Sequence, residues 1–311
     1  MRTNTNTQKT DVYTRVTDRI IASLEAGTRP WLKQWEASAD GRSALLPLRS
    51  NGTPYRGINV LLLWGDAMDK GFACSTWMTY KQAMERGAHI RKGEHGSTVV
   101  YADRATTTET NDNGEEVERG FAFMKAYTVF NVEQIEGLPS MFYEKPAPRD
   151  DGHTVEMIAE AEEFFAGTGA HFRHGGNRAF YTTAGDFIQL PPVQAFRDAE
   201  SYTATKAHEL VHWTGHKDRM AREFGKRFGD KAYAFEELVA ELGSAFLCAG
   251  LGVTPEPRED HAAYLASWLK VLKEDKRAIF SAAAHAQRAA DFLQGLQGSQ
   301  EQSEGETLQA A

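Results

Sequence analysis

The chain has only two cysteines among its 311 residues, Cys74 and Cys248, and they lie far apart in apolar surroundings. A small secreted domain held together by disulfides needs more, so two buried thiols in a reducing compartment are the better interpretation. The sequence also lacks an apolar run long enough to cross a bilayer, and its polar N-terminal residues do not resemble a signal peptide. We therefore expect a cytoplasmic protein with no membrane partner.

An excess of basic charge is absent as well, because the formal net charge is −8. Residues 1–140 carry 17 basic and 17 acidic residues, whereas residues 141–311 carry 18 and 26. Six of the acids in the first part lie within 103–118, a segment typical of an exposed hairpin loop. The rest of that part is basic, so the acidic total does not exclude a nucleic-acid partner.

The clearest chemical motif is the sequence HELVH at residues 208–212. Histidines four residues apart lie on the same face of a helix, so the imidazoles of His208 and His212 can reach one metal ion. The surrounding segment, 201–215, has apolar residues at helical spacing and a serine at its start that can cap a helix. Glu209 can take a proton from metal-bound water, as in zinc-dependent hydrolases.

A catalytic zinc ion usually has three protein ligands and one open position. The best candidates for the third ligand are Glu237 and Glu241, which lie four residues apart on a second expected helix at 235–247. One of them can bind the metal while the other orients a ligand histidine. His216 is a weaker candidate, because the first helix is expected to end at Gly215.

The order of these motifs, HExxH and then two glutamates four apart on the next helix, resembles the gluzincin group of metallopeptidases. The resemblance implies that His208, His212 and Glu237 bind one zinc ion per chain, with another divalent metal left open. It also implies that Glu209 is the catalytic base and that Glu241 orients a ligand histidine.

Aromatic residues stand beside basic residues and glycines throughout the first half of the chain. Rings that stack on bases, next to cations that contact phosphates, are typical of single-stranded DNA binding, although most Trp and Tyr side chains belong to protein cores. The candidate DNA-binding residues are Trp31, Trp35, Tyr55, Arg56, Trp77, Tyr80, Lys81, Arg91 and Lys92.

Eight stretches carry a resemblance to a known family: 30–35, 55–59, 77–83, 91–93, 127–139, 208–216, 233–241 and 268–272. The chain resembles ArdC-type antirestriction proteins over roughly residues 10–295, and its first half is similar to the N-terminal domain of TraC-type conjugative primases. The resemblance implies an N-terminal domain that binds single-stranded DNA and a C-terminal zincin-like metallopeptidase domain. It also implies a role in protecting incoming plasmid or phage DNA from host restriction.

We therefore expect an α+β protein of two domains joined by a polar, proline-containing stretch at 140–155. Residues 1–145 form the α+β domain that binds single-stranded DNA. Residues 150–295 form the mainly helical zincin-like domain with a small sheet, whose strand at 185–190 is the expected edge for an extended peptide. Residues 296–311 form a disordered tail.

Two other functions stay open at this stage. In one, the protein is a DNA-associated zinc metalloprotease whose main activity is to cleave a host protein. In the other, it is a DNA-binding shield with a structural or vestigial metal site. Glu209 favours an enzyme, because a structural zinc ion needs no general base. Nuclease chemistry is less expected, since it more often uses Mg²⁺ sites rich in carboxylates.

Overall fold

The computed structural model describes residues 11–31, 46–110, 116–143, 159–225, 230–253 and 262–309. The α-helices are α1 (Val12–Glu25), α2 (Ile58–Lys70), α3 (Tyr80–Glu85), α4 (Ala159–Gly167), α5 (Ala199–Thr214), α6 (Lys231–Gly250), α7 (Ala262–Glu274) and α8 (Ala278–Gln309). The strands are β1 (Leu48–Arg49), β2 (Thr76–Met78), β3 (His89–Ile90), β4 (Ser97–Thr110), β5 (Glu116–Asn131), β6 (Ile135–Glu136), β7 (Phe172–His174), β8 (Phe180–Thr182) and β9 (Phe187–Leu190). The expected α+β class is confirmed.

The main sheet of the first half has the strand order β1-β2-β5-β4, and a separate pair is formed by β3 and β6. Strands β4 and β5 pair antiparallel from Ser97 opposite Val129 to Thr110 opposite Glu116, which confirms a hairpin across the acidic segment. Helix α2 covers the edge of β4 through Asn59. Its side-chain amide donates to the carbonyl of Val100 and accepts from the amide of Val100, both at 2.8 Å.

The small sheet of the second half has the order β7-β9-β8. Strand β9 pairs parallel with β7 on one side and antiparallel with β8 on the other. The expectation that residues 185–190 form a free sheet edge is therefore wrong, because β9 uses both of its edges within the sheet. Among the described residues, the strand with an unpaired edge beside the cleft described below is β8.

One hydrophobic core joins the two halves of the chain. The ring of Trp64 on α2 lies 6.1 Å from that of Phe246 on α6, between centroids. Helix α1 is fixed to the α7–α8 turn by the hydroxyl of Thr17, which donates to the carbonyl of Lys276 at 2.6 Å. The domain limits at 145 and 150 stay a prediction, and the shared core makes the two halves one packed body.

Two helix ends differ from the sequence expectations. Helix α5 begins earlier than expected, because Asp198 rather than Ser201 caps it and accepts from the amide of Ser201 at 2.7 Å. Helix α8 continues to Gln309, through much of the segment expected to be disordered. Extending an existing helix adds a hydrogen bond for each residue fixed, and this segment is rich in Gln and Glu, which form helices well.

Both cysteines are free and buried, as expected. Burial raises the pKa of the Cys248 thiol to about 12. In the part of the chain that the structure describes, no helix is long and apolar enough to span a membrane.

We expect Phe246→Ala to lower the free energy of unfolding by about 3–5 kcal/mol, because it opens a cavity in the shared core. Tryptophan fluorescence and far-ultraviolet circular dichroism should report one common transition, shifted together in the variant. The exposed Tyr80→Ala is the matched control and should leave the midpoint unchanged. Two separate transitions, of which only one moves, would contradict a shared core.

Candidate functional site

Helix α5 presents His208 and His212 from one face, and both side chains are buried. The opposite face is held in the core by Ala207, Leu210 and Val211, none of which is exposed. Since the apolar face cannot rotate away from the core, the two imidazoles are fixed in direction. Helical spacing and one-sided burial together position the pair.

Helix α6 crosses α5 closely and brings a carboxylate to the histidines. Gly243 lies at the crossing, where a β-carbon would come within 2.8 Å of Val211 Cγ2. The hydroxyl of Ser244 also donates to the carbonyl of Ala204 on α5 at 2.9 Å. This close approach places Glu237, six residues before Gly243 on α6, opposite the imidazoles.

His208, His212 and Glu237 form the group of potential metal ligands found among the described residues, with their donor atoms all within 4.8 Å of one another. The carboxylate of Glu237 lies 3.5 Å from His208 Nε2 and 3.6 Å from His212 Nε2. Burial opposes ionisation of Glu237, but a hydrogen bond from His208 and the nearby charge of His212 outweigh it and hold its pKa at about 2. Two imidazoles and an ionised carboxylate fit a divalent metal ion.

Each histidine has a further carboxylate behind it. His212 Nδ1 lies 3.1 Å from Glu236 Oε1, and Arg222 donates to both oxygens of Glu236 at 2.9 Å. Burial opposes protonation of His212, but the neighbouring carboxylates, Glu236 first among them, raise its pKa to about 9. His208 Nδ1 lies 3.9 Å from Glu241 Oε2. Such partners fix the tautomer and orientation of a ligand imidazole, which leaves Nε2 for the metal.

The sequence analysis missed Glu236 and expected only Glu241 in this role. The usable signal was the pair of adjacent glutamates, since two successive helix positions differ by 100° and can serve different partners. Glu241 lies where its expected role requires, and that role stays a prediction. His216 is turned away: its Nδ1 lies 3.4 Å from Asp218 and accepts from the Asp218 amide.

The ligand group opens into a cleft with a volume of 1020 Å³. Glu209 lines this cleft, as do the aromatic side chains of Phe196, Phe224 and Tyr264. Strand β8 forms one wall, with Phe180 partly exposed on it. A site with three protein ligands beside an open cleft leaves room for a water molecule and a substrate.

Three of the expected DNA-binding residues belong to the core. Trp31, Tyr55 and Trp77 are buried, at 3%, 4% and 1% exposure, so none offers a free ring face to a base. This corrects the expectation for these three. Their large apolar area favours burial, and long-range packing rather than the local sequence decides it.

The other expected DNA-binding residues have different surroundings. Tyr80, Lys81, Arg91 and Lys92 are exposed. Arg91 pairs with Glu94 at 2.7 Å, and Lys81 lies 3.7 Å from Glu85. Arg56 pairs with Asp291 of α8, which gives it a partner within the protein. Trp35 lies outside the described residues.

The β4–β5 hairpin presents an aromatic and basic face that the sequence analysis did not single out. Tyr101 lies opposite Lys125 in the register, and Tyr127 is the next but one residue on the same strand as Lys125, so all three share one face. Tyr101 and Tyr127 are 51% and 38% exposed. We call these three residues the hairpin face. Near it the guanidinium of Arg49 lies 5.3 Å from the ring centroid of Tyr55.

We expect Glu236→Ala to weaken binding of Zn²⁺ by about 10–100-fold, because His212 loses the carboxylate that orients it. A titration against a chelator of known affinity measures the dissociation constant. Glu223→Ala removes an exposed carboxylate near the same site and should leave the constant unchanged. Equal affinities of the two variants would show that Glu236 does not support the centre.

Comparison with known proteins agrees with this geometry. Residues 159–285 match the zincin-like metallopeptidase family, and residues 10–130 match the N-terminal domain of the anti-restriction factor ArdC. The crystal structure of metal-free antirestriction ArdC protein from plasmid R388 is 47% identical, with a TM-score of 0.78, and the match covers 93% of this chain and 98% of that one. Its Mn(II)-bound structure gives a TM-score of 0.73 at the same identity, covering 92% and 98%.

Two proteins of known sequence are also similar. The uncharacterised protein y4eC of Sinorhizobium fredii (strain NBRC 101917 / NGR234) is 40% identical over 301 residues, covering 95% of each chain. DNA primase TraC of Escherichia coli is 40% identical over an alignment of 321 positions. The alignment covers 97% of this chain but only 29% of the primase. The resemblance seen in the sequence is thereby confirmed: the chain belongs to the ArdC family of antirestriction proteins, with an ArdC N-terminal domain followed by a zincin-like domain.

Proposed function

We propose that this protein protects incoming plasmid or phage DNA from host restriction by binding single-stranded DNA, and that it carries a working zinc-dependent peptidase site. The observation that carries the enzymatic part is the convergence of His208, His212 and Glu237 beside an open cleft that also contains Glu209. A structural or vestigial metal site needs neither the cleft nor the additional carboxylate of Glu209.

The residues of the cleft support peptide hydrolysis as follows. A divalent ion held by the three ligands would supply Lewis acidity at the mouth of the cleft. Glu209, buried beside the ligands, would accept a proton from the attacking water and donate it to the leaving amine. The free edge of β8 binds an extended polypeptide through backbone hydrogen bonds, and the aromatic cleft walls hold its side chains.

Zinc is the proposed ion because two imidazoles and one carboxylate form a typical catalytic zinc site. The Mn(II)-bound structure of the R388 relative keeps another divalent ion open. For one set of nitrogen and oxygen ligands, Zn²⁺ binds more tightly than Mn²⁺. The metal content of protein purified without added metal shows which of the two ions, Zn²⁺ or Mn²⁺, the protein binds in the cell.

We expect Glu209→Gln to retain one equivalent of zinc and the affinity for single-stranded DNA while losing proteolysis. Removing a general base lowers a rate by about 10²–10⁴-fold. Cleavage of an unstructured protein such as casein, and of the chain itself, is the assay, with elemental analysis for the metal. Glu223→Gln is the matched control.

The same variant separates the enzyme from the DNA-binding shield, which is the second candidate function. The exposed hairpin face supports the shield, because coating of DNA requires no chemistry. If Glu209→Gln protects transferred DNA in a restricting host as well as the wild type, protection comes from DNA binding. If it binds DNA normally but fails to protect, proteolysis is required. Full casein cleavage by Glu209→Gln would contradict the proposed mechanism.

The hairpin face is the proposed contact for single-stranded DNA, because its two tyrosines are exposed and flank a cation. Stacking of one base on an aromatic ring contributes about 1–3 kcal/mol. We expect Tyr101→Ala with Tyr127→Ala to weaken binding of a dT oligonucleotide by at least 10-fold, as that range implies. Lys125→Ala should reduce the slope of log affinity against log salt concentration by about one unit, because one phosphate contact is lost.

Two comparisons make this test specific. Met141→Ala alters a side chain that is exposed but neither aromatic nor charged and should bind DNA as the wild type does. Arg91→Ala with Lys92→Ala tests the basic turn expected from the sequence. Unchanged affinity of the double tyrosine variant, with a loss in the Arg91 and Lys92 variant, would move the contact to that turn.

A further inference from the structure

Two side chains from the N-terminal half of the chain reach the metal centre. The indole nitrogen of Trp31 donates to Glu241 Oε1 at 3.2 Å, and the guanidinium of Arg29 lies 3.6 Å from the same oxygen. The other oxygen, Oε2, lies 3.9 Å from His208 Nδ1. Glu241 therefore divides its two oxygens between the N-terminal half and a metal ligand.

The burial of Glu241 makes these contacts necessary. The residue is only 4% exposed, and a carboxylate at that depth stays ionised only when donors and positive charge surround it. Trp31 supplies a hydrogen bond and Arg29 supplies charge. The carboxylate lies on the Nδ1 side of the His208 ring, and a carboxylate on that side favours the tautomer whose Nε2 lone pair is directed towards the metal.

A second row of contacts runs from Trp31 to another ligand. Its ring meets Trp268 edge-on, with centroids 5.9 Å apart, and Trp268 stacks on Tyr264 at 6.1 Å. Tyr264 in turn stacks on Tyr233, and their hydroxyls are 3.3 Å apart. Tyr233 also donates a hydrogen bond to the carboxylate of Glu237. Trp31 thus contacts Glu241 directly and is linked to Tyr233 through the rings of Trp268 and Tyr264.

The segment that carries Trp31 is itself fixed. Helix α1 ends at Glu25, which pairs with Lys273 of α7 at 2.6 Å, and Asp18 pairs with Lys276 at the same distance. A turn with a positive φ at Gly27 then leads to Pro30, which is buried. Trp31 lies in the region that matches the ArdC N-terminal domain, whereas His208 and Glu241 lie in the zincin-like region.

We propose that Trp31 and Arg29 are positioning residues of the metal centre, so that the N-terminal half completes the site formed by the C-terminal half. They act through Glu241 on His208. The inference rests on the proposed binding of a divalent metal and deepens it, because it makes metal affinity depend on a buried tryptophan of the N-terminal half.

The test measures the dissociation constant of Zn²⁺ on the full-length protein by chelator competition. Glu241→Gln should weaken it by about 10–100-fold. Trp31→Phe keeps an apolar ring but removes the donor, and should weaken binding by about 10-fold, at the lower end of that range. Arg29→Met should do the same, and Arg29→Lys, which keeps the charge, should recover most of the loss.

The matched control is Trp64→Phe. Trp64 is also a buried tryptophan of the N-terminal half, and it packs on Phe246 of the same helix α6 that carries Glu241. A role of Trp31 in packing alone predicts equal effects of Trp31→Phe and Trp64→Phe on zinc affinity. The positioning role predicts a loss only for Trp31→Phe, while thermal unfolding of the metal-free proteins shows that both variants are folded.

A double-mutant cycle tests whether Trp31 affects zinc affinity through Glu241. Adding Trp31→Phe to Glu241→Gln should cause no further loss, because Trp31 acts through the carboxylate. Equal losses in both backgrounds, or wild-type affinity of Trp31→Phe, would overturn the inference. Failure of the proposed metal site itself gives a different result, since wild type and His212→Ala would then bind zinc equally.

Discussion

The structure depends on the pairing of charges buried between α5 and α6. Glu209, Glu236, Glu237 and Glu241 are each less than 9% exposed, and two histidines lie among them. Buried carboxylates are stable only when cations or hydrogen-bond donors compensate them. Arg222 compensates Glu236, Arg29 and Trp31 compensate Glu241, and the histidines face Glu237. These cations and donors leave part of the negative charge of the four carboxylates uncompensated, and that charge suits a divalent cation.

This requirement also explains the joining of the two halves of the chain. The donor for Glu236 comes from the loop after α5, whereas the donors for Glu241 come from the segment after α1. The metal centre therefore lies at the meeting point of sequence regions that match two different families. A shared core around Trp64 and Trp268 packs these two regions against each other. The proposed DNA-binding face and the proposed metal site are parts of one packed molecule.

The grouping of His208, His212 and Glu237 could be predicted from the sequence because its geometry is largely local. Histidines and glutamates four residues apart share a helix face whatever the rest of the fold does. Glu236 was missed because the rotation of α6 against α5 decides which of two adjacent glutamates faces His212. Trp31 and Trp77 were assigned to a DNA surface because local composition does not distinguish a stacking ring from a core ring. Tyr101 and Tyr127 gain their shared face only through the register of β4 and β5.

The proposed metal site has three protein ligands and keeps Glu209 off the metal. Anomalous diffraction at the zinc edge, from crystals of the zinc-loaded protein, would locate the ion and its ligands. We expect one peak bonded to His208 Nε2, His212 Nε2 and the Glu237 carboxylate, with its remaining position facing the cleft. A peak elsewhere, or a site closed by Glu209 or His216 as a fourth protein ligand, would contradict it.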